Sequence, residues 1–393
     1  MEQSVKAARG YRDLPEHIAA LRDAGLLIEV SREINKDTEM HPLVRWQYRG
    51  GVPENARKAW LFTNVIDAKG RRYEMPVLVG GLAGSRAIYQ IGMDKDLDQI
   101  NDTWLGAIAN PIPPSVVGSD QAPCQEIVIE GEDLMGGQGL DALPVPISTP
   151  GWDNAPYLSS GHFITKDPGT GVQNVGIYRA QLKAPNRLGM NTSIELRPGG
   201  FRHWQAWKEL GQPMPCAVAI GCPPAVSYGA VQKVPLDMDE IAVVGGLVGA
   251  PINVACGVNV DLMVPAESEL IIEGFVDTEY LEPEGPFGES HGHVNLMEYN
   301  GFMNVTAITR KVEPVFTSII SQVTPSESSV IKRVAYEPLF LGHLRDQLGI
   351  RGVISVSMHE PLTNIRKVIV IKMEDNVPRT EVWRALYGTA SLQ

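Results

Sequence analysis

The sequence predicts an α+β protein of several domains: an N-terminal α/β unit, a central barrel or sandwich of short strands, and α/β layers again toward the C-terminus. Two observations carry this. Helix and strand patterns alternate near both ends of the chain, whereas residues from about 125 to 310 fall into short β-like runs separated by Gly/Pro turns. Between these textures lies "NPIPPSVVGSDQAPC" (110–124), with four prolines and two polar clusters. These changes divide the chain at 1–115, 116–310 and 311–393.

In the first unit, "DLPEHIAALRDAGLLIEV" (13–30) opens on an Asp cap and an early Pro. It places Ile18, Leu21 and Arg22 at helical spacing, stops at Gly25 and passes into an apolar strand. "MPVLVG" (75–80) is a second strand, leaving through "GGLAGSR" (80–86). Those glycines are able to approach a phosphate, but their spacing matches neither a P-loop nor a dinucleotide fingerprint, so a plain turn is expected. The central strands are "QEIVIEG", "CAVAIG", "INVACGVNVDLMV", "ELIIEGFV" and "FMNVTAITR", interrupted by one helix, "GGFRHWQAWKELG" (199–211), closed by Gly211. Beyond Arg310 come "VFTSIIS", a helical "SVIKRVAYEPLFLGHLRDQL" cut by Pro338, the strands "GVISVSM" and "RKVIVIKM", and a helical "RTEVWRALYG".

A length of 393 residues, 44% of them hydrophobic, is enough for two or three ordinary cores. A net charge of −12 without a basic run argues against nucleic-acid binding, which needs a basic face. The start "MEQSVKAARGYRDL" lacks the apolar core of a secretory signal, and no apolar stretch approaches a membrane span of roughly 20 residues, so a cytoplasmic protein is expected. Cys124, Cys216, Cys222 and Cys256 show no paired spacing and are read as small buried hydrophobes.

Charge is distributed unevenly. Between Lys233 and Arg310 there is no Lys or Arg across 76 residues that hold thirteen acids. Any of these that are buried must draw a cation from elsewhere or retain a proton. Glu267, Glu269, Glu273, Asp277 and Glu279 are expected to face water. Glu284 and Glu289 are not, because "GPFG" makes a tight apolar connection between them, and paired carboxylates in an apolar setting are a common way to hold one proton near neutral pH.

The same run, with Gly285, His291, His293 and Glu298, fits much of a cupin-like metal signature, which points to an iron- or manganese-dependent oxygenase as an alternative. That reading is the weaker one: Val305 stands where the signature has Gly, and no second half follows. Upstream, Asn174 and Arg179 flank an alternating strand, and a loop of small residues closes on Glu240, a setting in which backbone N–H groups approach an anion or a flat ring.

Four stretches in this order, "NVGIYR" (174–179), "GAVQKVPLDMDE" (229–240), "VPAESELIIEG" (264–274) and "PEGPFGESHG" (283–292), resemble the UbiD family of reversible aromatic and α,β-unsaturated acid decarboxylases, and the similarity runs from the N-terminal helix–strand unit to the end of the chain. The resemblance implies prenylated FMN bound in a split β-barrel domain like that of flavin reductases. It implies a divalent metal (Mn or Mg) and K+ at the cofactor phosphate, held by an Asn, a His and a Glu. By position Asn174 matches the Asn and Glu240 the Glu. The residues about them, Val175, Ile177, Arg179, Arg197, Ala230, Val231, Gln232 and Lys233, match the cofactor-binding segments. Arg179, Glu284 and Glu289 match a catalytic Glu-Arg-Glu network in which Arg179 engages the substrate carboxylate and Glu284, and Glu289 carries the proton that replaces CO2; His291 and His293 become supporting residues. The cofactor acts as electron sink.

Two departures stand out. Arg197 occupies the place of the ligand His, and Arg cannot ligate a metal. Its guanidinium is expected to replace the cation wholly or in part, bridging cofactor phosphate and Glu240; otherwise Glu195 or His203 is the ligand. The chain also stops at "ALYGTASLQ", earlier than the family pattern, so an incomplete C-terminal domain is expected. Implied partners are a small aromatic or conjugated acid, a flavin prenyltransferase as cofactor supplier, and further copies of the chain in a dimer or hexamer. Some relatives are non-catalytic subunits of larger carboxylases; retention of Arg179, Glu284 and Glu289 speaks against that here. Trp152 and Tyr157 in "GWDNAPY" (151–157), His162 and the 320–330 loop are candidates for the substrate pocket.

Overall fold

The computed structural model describes residues 9–191, 199–232, 234, 238–288, 293–322, 325–358 and 368–392. Its first helix, Leu14–Asp23, starts at Asp13, whose side chain accepts from the Glu16 N–H while Glu16 bonds back, and the chain turns out of it at Gly25 with φ of 68°. The strand that follows, Leu27–Val30, is the edge of a four-stranded sheet ordered Leu27–Val30, Ala59–Phe62, Val77–Val79, Phe316–Ser318. The fourth strand comes from beyond residue 310, so the late part of the chain returns to complete the N-terminal sheet.

The centre is a ten-stranded antiparallel sheet. Its path runs Gln173–Ile177, His162–Lys166, Met214–Ile220, Leu270–Val276, Glu298–Arg310, Arg187–Met190, Ala180–Ala184, Tyr157–Leu158. Glu282–Glu284 and Ile127–Glu130 also pair with the 13-residue strand Glu298–Arg310. Only Tyr178 and Arg179 separate the first strand of this path from the seventh. Such a link spans at most about 10 Å, so the sheet curls until its ends nearly meet.

Phe62, Val77 and Val79 of the N-terminal sheet share one apolar core with Phe163, Val218, Ile272 and Ile308 of the curled sheet. A second core, around Tyr336, Phe340, Leu344, Ile350, Val353 and Ala385, holds the C-terminal elements together. There the helix Glu327–Gly342 contains Pro338 rather than ending at it. An interior proline costs about 3 kcal/mol, and burial of Val334, Ala335, Tyr336 and Phe340 on the same helix offsets it. The "INVACGVNVDLMV" run likewise differs from a single strand, forming a hairpin of Asn253–Cys256 and Met263–Pro265.

The acid-rich segment corrects another expectation. Glu267, Glu269 and Glu273 are buried, not solvated. Glu267 accepts from Tyr11 Oη (2.9 Å) and Asn253 Nδ2 (2.8 Å); Glu269 pairs with Lys311 (2.7 Å); Glu273 accepts backbone N–H groups of Val258, Asn259 and Val260. Each carboxylate found donors outside its own strand, which charge counting along the chain does not reveal. Asp277 is half-buried and Glu279 exposed. Cys124, Cys216 and Cys222 are buried as expected, whereas Cys256 is exposed.

Glu327 caps the "GGLAGSR" turn. Fully buried, it accepts from the N–H groups of Gly80 (3.0 Å) and Ile320 (2.8 Å) on Oε2 and of Leu82 and Ala83 (3.3 Å each) on Oε1. The turn does gather its N–H groups on an acidic group, but one supplied by the chain itself. No helix among the described residues is long and apolar enough to cross a membrane.

Candidate active site

The curl of the sheet brings Arg179 against Glu284, 105 positions away in the chain. Arg179 donates from Nε to Oε1 (2.9 Å) and from Nη2 to Oε2 (2.8 Å), a two-point contact that fixes the plane of both groups. Asn191 Nδ2 (3.2 Å) and Asn300 Nδ2 (3.1 Å) add donors on Oε2, so four N–H donors meet a carboxylate that is 1% exposed. Asn191 is placed by a bridge to Arg179 and Asn300 by its pairing opposite Glu282. Glu298, half exposed, lies 3.9 Å from Arg179 Nη2.

After Glu284 the chain turns at Gly285, whose φ of 104° suits glycine and whose missing side chain admits the Leu296 carbonyl; the Gly285–Pro286 peptide is cis. Phe287 then lays its ring 5.2 Å beneath the Arg179 guanidinium and 4.4 Å from the ring of Tyr157. Burial, and then the neighbouring charge of Glu284, push the Tyr157 phenol well up, so it stays a neutral hydroxyl beside the pair. Next to this strand sits the loop 148–154. Its Asp153 accepts from the N–H groups of Gly288 (3.0 Å) and Thr149 (2.7 Å). Burial pushes Asp153 up to about 6, against those bonds and the charge of Arg45. Thr149 Oγ1 and both amide atoms of Gln322 are buried near Gly288 without partners, polar groups suited to a ligand or ordered water.

Five residues before Arg179, Asn174 lies on the strand Gln173–Ile177 that leads into it. A Cβ on Gly199 would meet Asn174 Oδ1 at 1.8 Å, so only glycine allows the helix Gly199–Glu209 to begin there. The helix Glu240–Val248 starts at the next residue along, with Glu240 Oε2 accepting from Val175 N–H at 3.0 Å. Burial pushes Glu240 up to about 7; the Val175 bond opposes this and Asp239 reinforces it. Two helix N-termini, each electropositive, thus converge on residues 174–175. Asn174 Nδ2 is buried here without a hydrogen-bond partner, and so is Gln232 Oε1 in the segment that precedes Glu240. Val175 and Ala230 are buried, Ile177 and Val231 half-buried.

Of the residues singled out in the sequence, the structure therefore joins Arg179 with Glu284, and Val175 with Glu240. Glu289, His291, Glu195, Arg197 and Lys233 lie outside the described residues. His203 Nδ1 bonds Thr165 Oγ1 at 2.8 Å, and burial lowers its pKa. His162 and Tyr157 are buried, Trp152 and His293 exposed. Asn191 and Asn300 were not singled out; Phe287, inside "GPFG", and Asp153, inside "GWDNAPY", sat in stretches already suspected but were given no role of their own.

A guanidinium held two-point against a buried carboxylate at the seam of the curled sheet, with two helix N-termini meeting the adjoining strand, marks the candidate site. Residues 115–323 match the model of the 3-octaprenyl-4-hydroxybenzoate carboxy-lyase Rift-related domain, UbiD. That is more than half of the chain, and the protein belongs to the UbiD family of carboxy-lyases. Among solved structures, it is similar to an evolved dimeric form of the UbiD-class enzyme HmfF of Pelotomaculum thermopropionicum with prFMN: 28% identity, 96% of this chain, 82% of that one, TM-score 0.84. HmfF with FMN gives 29% identity, 96% and 79% coverage and the same TM-score. The apo 3,4-dihydroxybenzoic acid decarboxylase AroY of Klebsiella pneumoniae shares the fold at 22% identity, 97% and 80% coverage and a TM-score of 0.82.

Proposed function

We propose that this protein catalyses reversible, non-oxidative decarboxylation of an aromatic or α,β-unsaturated carboxylic acid with prenylated FMN. The buried two-point pairing of Arg179 with Glu284 carries the reading: an always-charged fork is held rigid where a substrate carboxylate is to be bound and lost. The curled antiparallel sheet is then the split barrel of a cofactor domain spanning 116–310, between an α/β unit at 1–115 and a C-terminal α/β domain at 311–393 whose first strand, Phe316–Ser318, joins the N-terminal sheet.

The residues present suit a phosphorylated flavin. Unpartnered Asn174 Nδ2 and Gln232 Oε1, the carboxylate of Glu240 and two converging helix starts would hold its phosphate and its counter-ions; Val175, Ile177, Arg179, Ala230, Val231 and Lys233 complete the cofactor-binding set. When bound, the prenylated flavin supplies the electron sink for the carbon that loses CO2. The chain supplies orientation and a proton: Arg179 engages the substrate carboxylate, Glu284 with Asn191 and Asn300 fixes Arg179, and Glu289 delivers the proton to the carbon. A flavin prenyltransferase would provide the cofactor, and the enzyme would act as a homo-oligomer.

Asn174 and Glu240 offer two oxygen ligands, and no group of three metal-ligating side chains occurs among the described residues. With Arg in place of the family His, the Arg197 guanidinium would replace the divalent cation wholly or in part, bridging phosphate and Glu240. Elemental analysis of cofactor-loaded protein is expected to find divalent metal well below one per chain; a stoichiometric ion would overturn the replacement.

The function is tested by co-expression with a flavin prenyltransferase. The purified protein should be coloured, release a cofactor with the mass of prenylated FMN, and liberate CO2 from at least one member of a panel of aryl and conjugated acids. A protein that never takes up a modified flavin would remove the assignment.

A further inference from the structure

The mechanism above leaves Asp153 unused, although this carboxylate is 8% exposed and tied in three directions. Within its own loop, Oδ2 accepts from Thr149 N–H, while the Thr149 carbonyl accepts from the N–H groups of Trp152 and Asp153 at 3.0 Å each. Behind the loop, Arg45 on the helix Met40–Arg49 donates to the Ser148 carbonyl and places its charge toward Asp153. In front, Oδ1 reaches across 135 positions to the N–H of Gly288. Gly288 and Phe287 form a two-residue strand, and the Phe287 ring is the floor under Arg179. The fit leaves no slack: a Cβ on Gly288 would meet Thr149 Oγ1 at 2.6 Å.

We propose that Asp153 is a positioning residue, whose carboxylate fixes the Phe287–Gly288 strand and thereby both the support of Arg179 and the point at which the chain passes into Glu289. The inference rests on the proposed roles of Arg179 and Glu289. Both carboxylate oxygens are needed, one for the loop and one for the strand. An asparagine of the same shape has a single acceptor and leaves one buried N–H unmatched.

The experiment compares Asp153→Asn with wild type, both loaded with cofactor. The kcat should fall at least tenfold with KM and the cofactor spectrum unchanged, because binding surfaces remain while the reacting groups lose alignment. Hydrogen exchange of the peptide containing Phe287 and Gly288 should accelerate. If Asp153→Asn does not fold, Asp153→Glu, which retains the charge one methylene further out, is held to the same two criteria. A variant with kcat within twofold of wild type, or with undisturbed exchange at that peptide, would overturn the inference while leaving the proposed function standing. A wild type that turns over no acid would overturn the function and this inference together.

Discussion

Arg179→Lys lowers kcat/KM by about a hundredfold to a thousandfold, the scale expected when a reacting group is displaced by an ångström or so, while the protein still binds flavin. Lysine keeps the charge but presents it as a point, so the paired contacts to Oε1 and Oε2 of Glu284 collapse to one and the stacking over Phe287 is lost. Glu284→Gln should cost a similar amount. The double variant should be little worse than either single one, because the two side chains act as a unit. Steady-state kinetics on the three variants decide this. Strictly additive losses, or Arg179→Lys within tenfold of wild type, would show that the pair is not the centre of the site.

Glu327→Gln lowers stability by about 3 kcal/mol at pH 8, since an amide nitrogen then faces two buried N–H groups that had an acceptor, at roughly 1–3 kcal/mol each. Burial pushes the Glu327 carboxyl up to about 7 despite its four N–H partners. The native state therefore holds this proton more tightly than the unfolded chain, whose Glu titrates near 4.3. The stabilising contribution is complete below about 4 and is lost as pH rises to about 7. Urea midpoints of wild type and variant at pH 5 and pH 8 should converge toward the higher pH, the variant remaining below. Equal midpoints at both would mean that the clasp between the Gly80 turn and residue 320 contributes nothing.

What the sequence made legible follows from where the physics is local. The capped helix Leu14–Asp23, its glycine stop and the closure of the helix Gly199–Glu209 before Gly211 depend on neighbours a few positions apart, and they appear in the structure as read. The acidic stretch without cations showed that Glu284 had to borrow one, but that Arg179 supplies it was implied only by the family resemblance. Asn191 and Asn300 carry no such signal: an asparagine in a strand is ordinary until the fold sets it beside a buried carboxylate. Glu267, Glu269 and Glu273 were misread for the same reason, since their donors lie in other segments. Pro338 misled because local cost was weighed without the core that outweighs it.

The two-residue hop from Ile177 to Ala180 has a mechanical meaning. The curled sheet is sewn shut at that point by covalent chain, and Arg179 is one of the two stitches. A guanidinium on a free edge would swing with every opening of the sheet. On the stitch it moves only when both rims move together, so the charge proposed to grip the substrate acts as a rivet through the seam, tensioned on one side by the strand that Glu240 holds at Val175 and on the other by Glu284. Loosening the seam anywhere along those strands should therefore be felt first at the guanidinium.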